Sequence, residues 1–113
     1  MPRNMQGRSL PVSLAASGDG VLVDAAAGEV VRVRQFYLDA AGAVVVTFKS
    51  GSNALTGAMS MITGVPQNPP PGDKDAPLFS TNAGEDLILN LSGNVQVSGF
   101  IVYDWVAAAP GYT

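Results

Sequence analysis

From Ala83 to Val106 the chain reads AGEDLILNLSGNVQVSGFIVYDWV, two apolar-alternating runs joined by Ser92-Gly93-Asn94. A period of two puts successive side chains on opposite faces of an extended strand. The segment therefore reads as a β-hairpin. A three-residue loop at Ser92-Gly93-Asn94 sets Leu91 across from Val95 and Leu89 across from Val97, and leaves Asn90 with Gln96 on the other face. A two-residue loop mixes apolar with polar on each face. The longer loop is preferred, with Asn94 in the left-handed conformation that asparagine tolerates. Past Gly99 both faces turn apolar: Phe100 and Val102 on one, Ile101, Tyr103 and Trp105 on the other. Such a strand is covered on both sides. It reads as a central strand of one sandwich or, alternatively, as one whose second face meets another subunit.

A second stretch, Glu29 to Ser50, repeats the pattern as EVVRVRQFYLDAAGAVVVTFKS. Asp39-Ala40-Ala41-Gly42 fits a type I turn closed by a left-handed glycine. In that register Leu38 meets Val44 and Phe36 meets Val46 on a core face. Tyr37 with Val45 and Val33 with Lys49 share an amphipathic face. Ala27-Gly28-Glu29 and Ala83-Gly84-Glu85 open the two stretches with the same three residues, too few to establish a repeat. Shorter strand signals lie at Ser9–Ala15, Val21–Ala25 and Leu78–Thr81, and one strand bulged near Gly57 falls within Ser50–Thr63. Together these predict an all-β chain: a small antiparallel β-sandwich, jelly-roll-like, with about seven or eight short strands.

Around this body the chain divides into an N-terminal docking arm (1–10), the sandwich (11–106) and a C-terminal tail (107–113). The arm carries Arg3 and Arg8 and no acid, while the remaining residues carry a net −5. A basic arm on an acidic body suits docking on a neighbour; an edge strand laid on its own domain is the equal alternative. Val65 to Pro77 is a long loop, stiffened by Pro69-Pro70-Pro71 in the polyproline conformation. Asp73 and Asp75 bracket Lys74 there without a complete calcium-loop pattern.

Chemistry is sparse. The 113 residues contain no cysteine and no histidine, which removes thiolate nucleophiles, Ser-His-Asp triads, disulfides and the usual zinc sites. No cofactor motif occurs. A net charge of −3 speaks against a nucleic-acid partner. No run approaches the ~20 apolar residues of a membrane helix. The Ser9–Ala16 run is too short, and too broken by Pro11 and Ser13, for a secretion signal. Glu85, Asp86 and Asp104 are the only carboxylates that a hairpin could bring together. A glycosidase pair would also need a cleft and aromatic platforms, so no enzyme is expected. Charged residues make up 13% of the chain, about half the usual ~25%, as in surfaces partly hidden by partners.

The segments VRVRQFYLDAAGAVVVTFKSGSNALTG and AGEDLILNLSGNVQVSGFIVYDW resemble small β-sandwich virion proteins of tailed bacteriophages, among them the head decoration, or cement, proteins. The likeness spans roughly Glu29 to Trp105 and carries no catalytic signature. It implies a homo-oligomer, most often a trimer, made in the host bacterial cytoplasm and bound to the outer surface of the major capsid protein, where it ties neighbouring capsomers together. It implies no cofactor, no metal and no membrane. On that reading Arg3 and Arg8 are the expected capsid contacts, and Tyr37, Val45, Tyr103 and Trp105 the expected subunit interface. A receptor- or glycan-binding domain of a tail or fibre protein is the alternative, and a carboxylate hydrolase the third.

Overall fold

The computed structural model describes residues 5–25, 27–72 and 77–107; side chains of residues 5–7 and 107 are outside that description. Among the described residues nine strands form two antiparallel sheets: β1 (Met5–Leu14), β2 (Gly18–Val23), β3 (Glu29–Ala40), β4 (Val44–Ser50), β5 (Asn53–Ala54), β6 (Met59–Met61), β7 (Phe79–Ser80), β8 (Leu87–Leu91) and β9 (Val97–Ala107). One sheet runs β1-β9-β3-β7. The other runs β2-β8-β4-β5, with β6 also on β4. The all-β antiparallel sandwich expected from the sequence is present, with its strands in jelly-roll order. The single bulged strand expected near Gly57 is present as β5 and β6, both paired to β4 and separated by residues 55–58.

The two expected hairpins are not hairpins. β3 pairs with β9, from Glu29↔Ala107 to Ala40↔Val97, and β4 pairs with β8. Each short connection arches from one sheet to the other. A hairpin and an arch bury the same alternate residues, so the period of two cannot distinguish them; only the pairing partner does. The arch also removes the need for hairpin turn geometry. Among the described residues no non-glycine residue has positive φ, Asn94 included, and Gly42 is not among the positive-φ glycines. Asn94 instead uses its side chain: its Oδ1 accepts from the Ser17 amide at 2.8 Å, in the β1–β2 arch. The β3–β4 arch is tied to the β8–β9 arch by the Ala41 amide, which donates to the Gln96 carbonyl at 2.9 Å. Three arches thus lie side by side, held by their own polar groups.

The core between the sheets is aliphatic with an aromatic centre. Phe48 of β4 lies 4.9 Å from Phe36 of β3 and 4.8 Å from Phe79 of β7, ring centre to ring centre. Leu38, Leu87, Leu89, Val46 and Ile101 close around them, all without solvent exposure. Strand β3 keeps the alternation only by breaking it once. Its register shifts between Val33 and Gln35, so Val31 and Val33 point inward before the bulge, and Phe36, Leu38 and Ala40 after it. Val33 therefore sits in the core and not on the amphipathic face expected for it.

The Pro-rich loop has a structural task. Gln67 exchanges backbone hydrogen bonds with Leu38, the Gly72 amide donates to the Arg34 carbonyl, and the Leu78 amide to that of Val33. Residues 67–72 and 77–80 thereby cover the outer edge of β3 with an irregular, proline-bearing border, a known guard against further strand addition. The two Ala-Gly-Glu turns lie together as well. Gly28 and Gly84 both have positive φ, and the Gly84 amide donates to the Glu29 carbonyl at 2.8 Å.

The N-terminal boundary shifts. β1 runs across residue 10 and pairs with β9 from Met5↔Trp105 to Leu14↔Val97. Residues 5–10 thus belong to the edge of the sheet, the alternative weighed for the arm, and residues 1–4 lie outside the described residues. At its far end β9 continues through Ala107, one residue past the expected limit, and residues 108–113 lie outside the described residues.

Gly99 permits the central ladder. Its φ is +148°, and a Cβ there would stand 1.8 Å from the Tyr37 carbonyl oxygen on β3. Gly99→Ala forces the two central strands apart, so we expect a loss of at least ~3 kcal/mol in urea unfolding, or no soluble protein. Phe48→Ala, which empties the aromatic centre without touching the ladder, costs about 3–5 kcal/mol in the same assay.

Candidate interaction surfaces

The expected contact residues do not form one surface. Tyr37 lies on the outer face of the β1-β9-β3-β7 sheet, stacked on Phe100 at 6.0 Å with the rings 7° from parallel. Val45 lies on the outer face of the other sheet, where its backbone exchanges hydrogen bonds with Ser92. The arch that replaces the hairpin puts these two side chains on opposite sides of the sandwich. Tyr103 is 3% exposed and belongs to the core. That burial removes it from the expected subunit interface, because β9 turns Ile101 and Tyr103 inward together. Trp105 is half-buried, edge-on to Tyr103 at 6.1 Å. Arg8 is exposed on β1 opposite Tyr103, and Arg3 lies outside the described residues.

Glu85, Asp86 and Asp104 are engaged in the fold. Asp104, 1% exposed, takes a 2.9 Å ion pair from Arg34 Nε. The β3 bulge that realigns the core is also what carries Arg34 to this partner. Removing one member of such a buried pair strands the other charge. Asp86 Oδ1 accepts from the Ala25 amide at 3.0 Å. Glu85 accepts from the Ser50 hydroxyl and from the Asn82 side chain, while Ser50 Oγ accepts from the Asn82 amide. The three carboxylates considered for acid–base work thus serve separate structural contacts. Asp73 and Asp75 lie outside the described residues. Among the described residues no group of three or more acidic side chains is placed to hold a metal ion.

One polar row escaped the sequence reading. Asp19, Asn90 and Lys49 meet on the outer face of the β2-β8-β4 sheet. The Asn90 side-chain Nδ2 donates to Asp19 Oδ1 at 2.7 Å, and Lys49 Nζ reaches both Asp19 oxygens at 3.1 Å. Nothing in the sequence pairs these positions; the signal is the β2–β8–β4 order. Three exposed aliphatic side chains also escaped it: Val21 (52%), Ile62 (57%) and Val65 (52%). Ile62 and Val65 flank a tight turn at Thr63-Gly64, beside an open hollow of about 350 Å³ between the Asp39–Ala41, Thr63–Gly64 and Gln96–Ser98 segments.

No family model matches the chain, and neither does any curated protein. A search of solved structures finds a similar fold in a structure described as "Bacillus endospore appendages form a novel family of disulfide-linked pili", with a TM-score of 0.53 and 12% identity, over 96% of this chain and 92% of that one. At that identity the likeness establishes the small all-β fold shared with a pilus-type protein. The disulfides named there have no counterpart in these 113 residues, which hold no cysteine.

Two carboxyls are held below the usual carboxylate range: Asp19 by the Asn90 hydrogen bond and then Lys49, and Glu85 by the Ser50 hydroxyl and then Asn82. A depressed folded pKa adds stability above the unfolded pKa and loses it as pH falls through the folded value. Unfolding midpoints should therefore hold steady from neutral pH to about 5, then fall through and below the ordinary range near 4. Glu85→Gln should flatten part of that fall, as read by thermal melts at stepped pH.

Proposed function

We propose that this protein is a non-catalytic structural subunit that acts in many copies, and that its place is the outer surface of a tailed-phage head, on the major capsid protein. The observation that carries the reading is how the surface is used. Asp19, Glu85, Asp86 and Asp104 are engaged in contacts that hold the fold, while Val21, Ile62 and Val65 stand in solvent. An enzyme surface concentrates reactive polar groups in a cleft. A coat subunit keeps apolar points free for neighbours. The jelly-roll order, the low charge content and the likeness of Glu29–Trp105 to phage virion proteins support the same reading. Arg8, exposed on β1, and Arg3 before it are the basic groups for a capsid contact.

A filament subunit is the second reading. It is favoured by the structural similarity to a pilus-type protein, which likewise presents a small β-sandwich.

Co-sedimentation with capsids stripped of accessory proteins tests the proposal. Deleting residues 1–10 is the wrong variant, since it removes half of a strand that pairs with β9. Arg3→Glu/Arg8→Glu leaves that ladder intact. Saturable binding by the wild type, weakened at least ~10-fold by the double variant, is the expected result; this fold-change corresponds to about 1.4 kcal/mol. Folded protein that never sediments with capsids overturns the reading, and filaments in electron micrographs of the purified chain would replace it with the second.

A further inference from the structure

The two lateral sides of the sandwich are finished differently. On one side β3 is bordered by β7 and the Pro-rich segment, and β4 by β5 and β6, pieces of two or three residues each. Such interrupted borders resist strand addition. On the other side lie β1, ten residues long, and β2, six, each hydrogen-bonded to a neighbour on one flank only among the described residues. They are stacked across the sandwich, with the Leu14 side chain resting on Gly20. Pro11 presents no amide on β1. Pro11 costs the β1 edge one donor and leaves residues 8–14 otherwise in regular register, while β2 has no proline, and its largest exposed side chain is the valine at its centre.

We infer that β2 is the docking edge for a second copy of this chain, added antiparallel so that both sheets continue from one molecule into the other. An identical strand is the natural occupant, because a two-fold axis perpendicular to the sheets satisfies the same edge on both copies at once. The blunted opposite side leaves no regular edge for head-to-tail growth, so the contact closes at two. A register centred on Val21 sets the two exposed valines against each other and keeps the two Asp19 carboxylates apart, since like charges directly opposite are unfavourable. The axis also reverses strand direction. The basic Arg8 end of each copy then lies beside the end of the other that carries Asp19. Ten residues of β1 at ~3.4 Å and two layers about 10 Å apart, with their side chains, give a side of roughly 600–800 Å², close to the ~800 Å² per partner of a standard contact.

The inference is independent of capsid binding and is tested on the free protein. Light scattering and sedimentation equilibrium should give twice the 11.6 kDa of the chain. Val21→Lys puts a charge on the edge at a half-exposed position, and should return the mass to one copy with the far-ultraviolet circular dichroism of the folded wild type and a thermal midpoint that no longer rises with concentration. Ile62→Lys, on the turn away from β2, should leave two copies. Amide exchange in Gly18–Val23 should slow as wild-type concentration rises. A single-copy mass at all concentrations, a three-copy mass as the phage resemblance implies, or a two-copy mass that survives Val21→Lys with unchanged exchange in β2 would each overturn it.

Discussion

Strands β3 and β9 pair over almost their whole length, and each continues through an arch into the opposite sheet. Their ladder therefore holds both layers: fixing β3 against β9 also sets β4 against β8. Two local departures make it possible. The bulge after Val33 realigns the inward residues of β3, and Gly99 lets the β9 backbone pass the Tyr37 carbonyl. Neither is a defect. Without the bulge, one half of β3 would turn its apolar residues to solvent.

The alternation at Leu87–Leu91 and Val44–Ser50 was legible because burial on one face imposes a period of two whatever the partner strand is. The partner strand was not legible. Residues 41–43 and 92–96 are short enough for hairpin loops, and a short polar loop is equally able to cross about 10 Å between sheets. Everything inferred from the hairpin geometry fell with it: Asn94 in the left-handed region, Gly42 as the turn glycine, Tyr37 beside Val45. The Val33 misplacement has a different origin, a bulge that Arg34 marks only in hindsight through its ion pair with Asp104. Tyr103 and Phe100 belong to one apolar run, and composition cannot say which face of a two-sided strand is the deeper.

The candidate surfaces follow from the same geometry. Polar side chains that seemed available for chemistry stabilise arches, turns and the bulge. The aliphatic residues at the surface sit on β2 and on the Thr63-Gly64 turn, which a core-packing argument had no reason to single out. This division of labour suits a protein whose task is contact with other proteins.

The arches carry a kinetic consequence. The long strands that a short connection joins lie in opposite sheets, so local pairing among the described residues is limited to the short β5 and β6 on β4, and every long ladder joins segments far apart in the chain. Such topologies fold slowly, because loop closure precedes any reward from pairing. β9 is both the last of the described strands and the one between β1 and β3. On a ribosome, β1 and β3 would wait side by side with a missing centre until the final strand emerged. Until β9 emerged, that sheet would stay half-made, with apolar faces open to water.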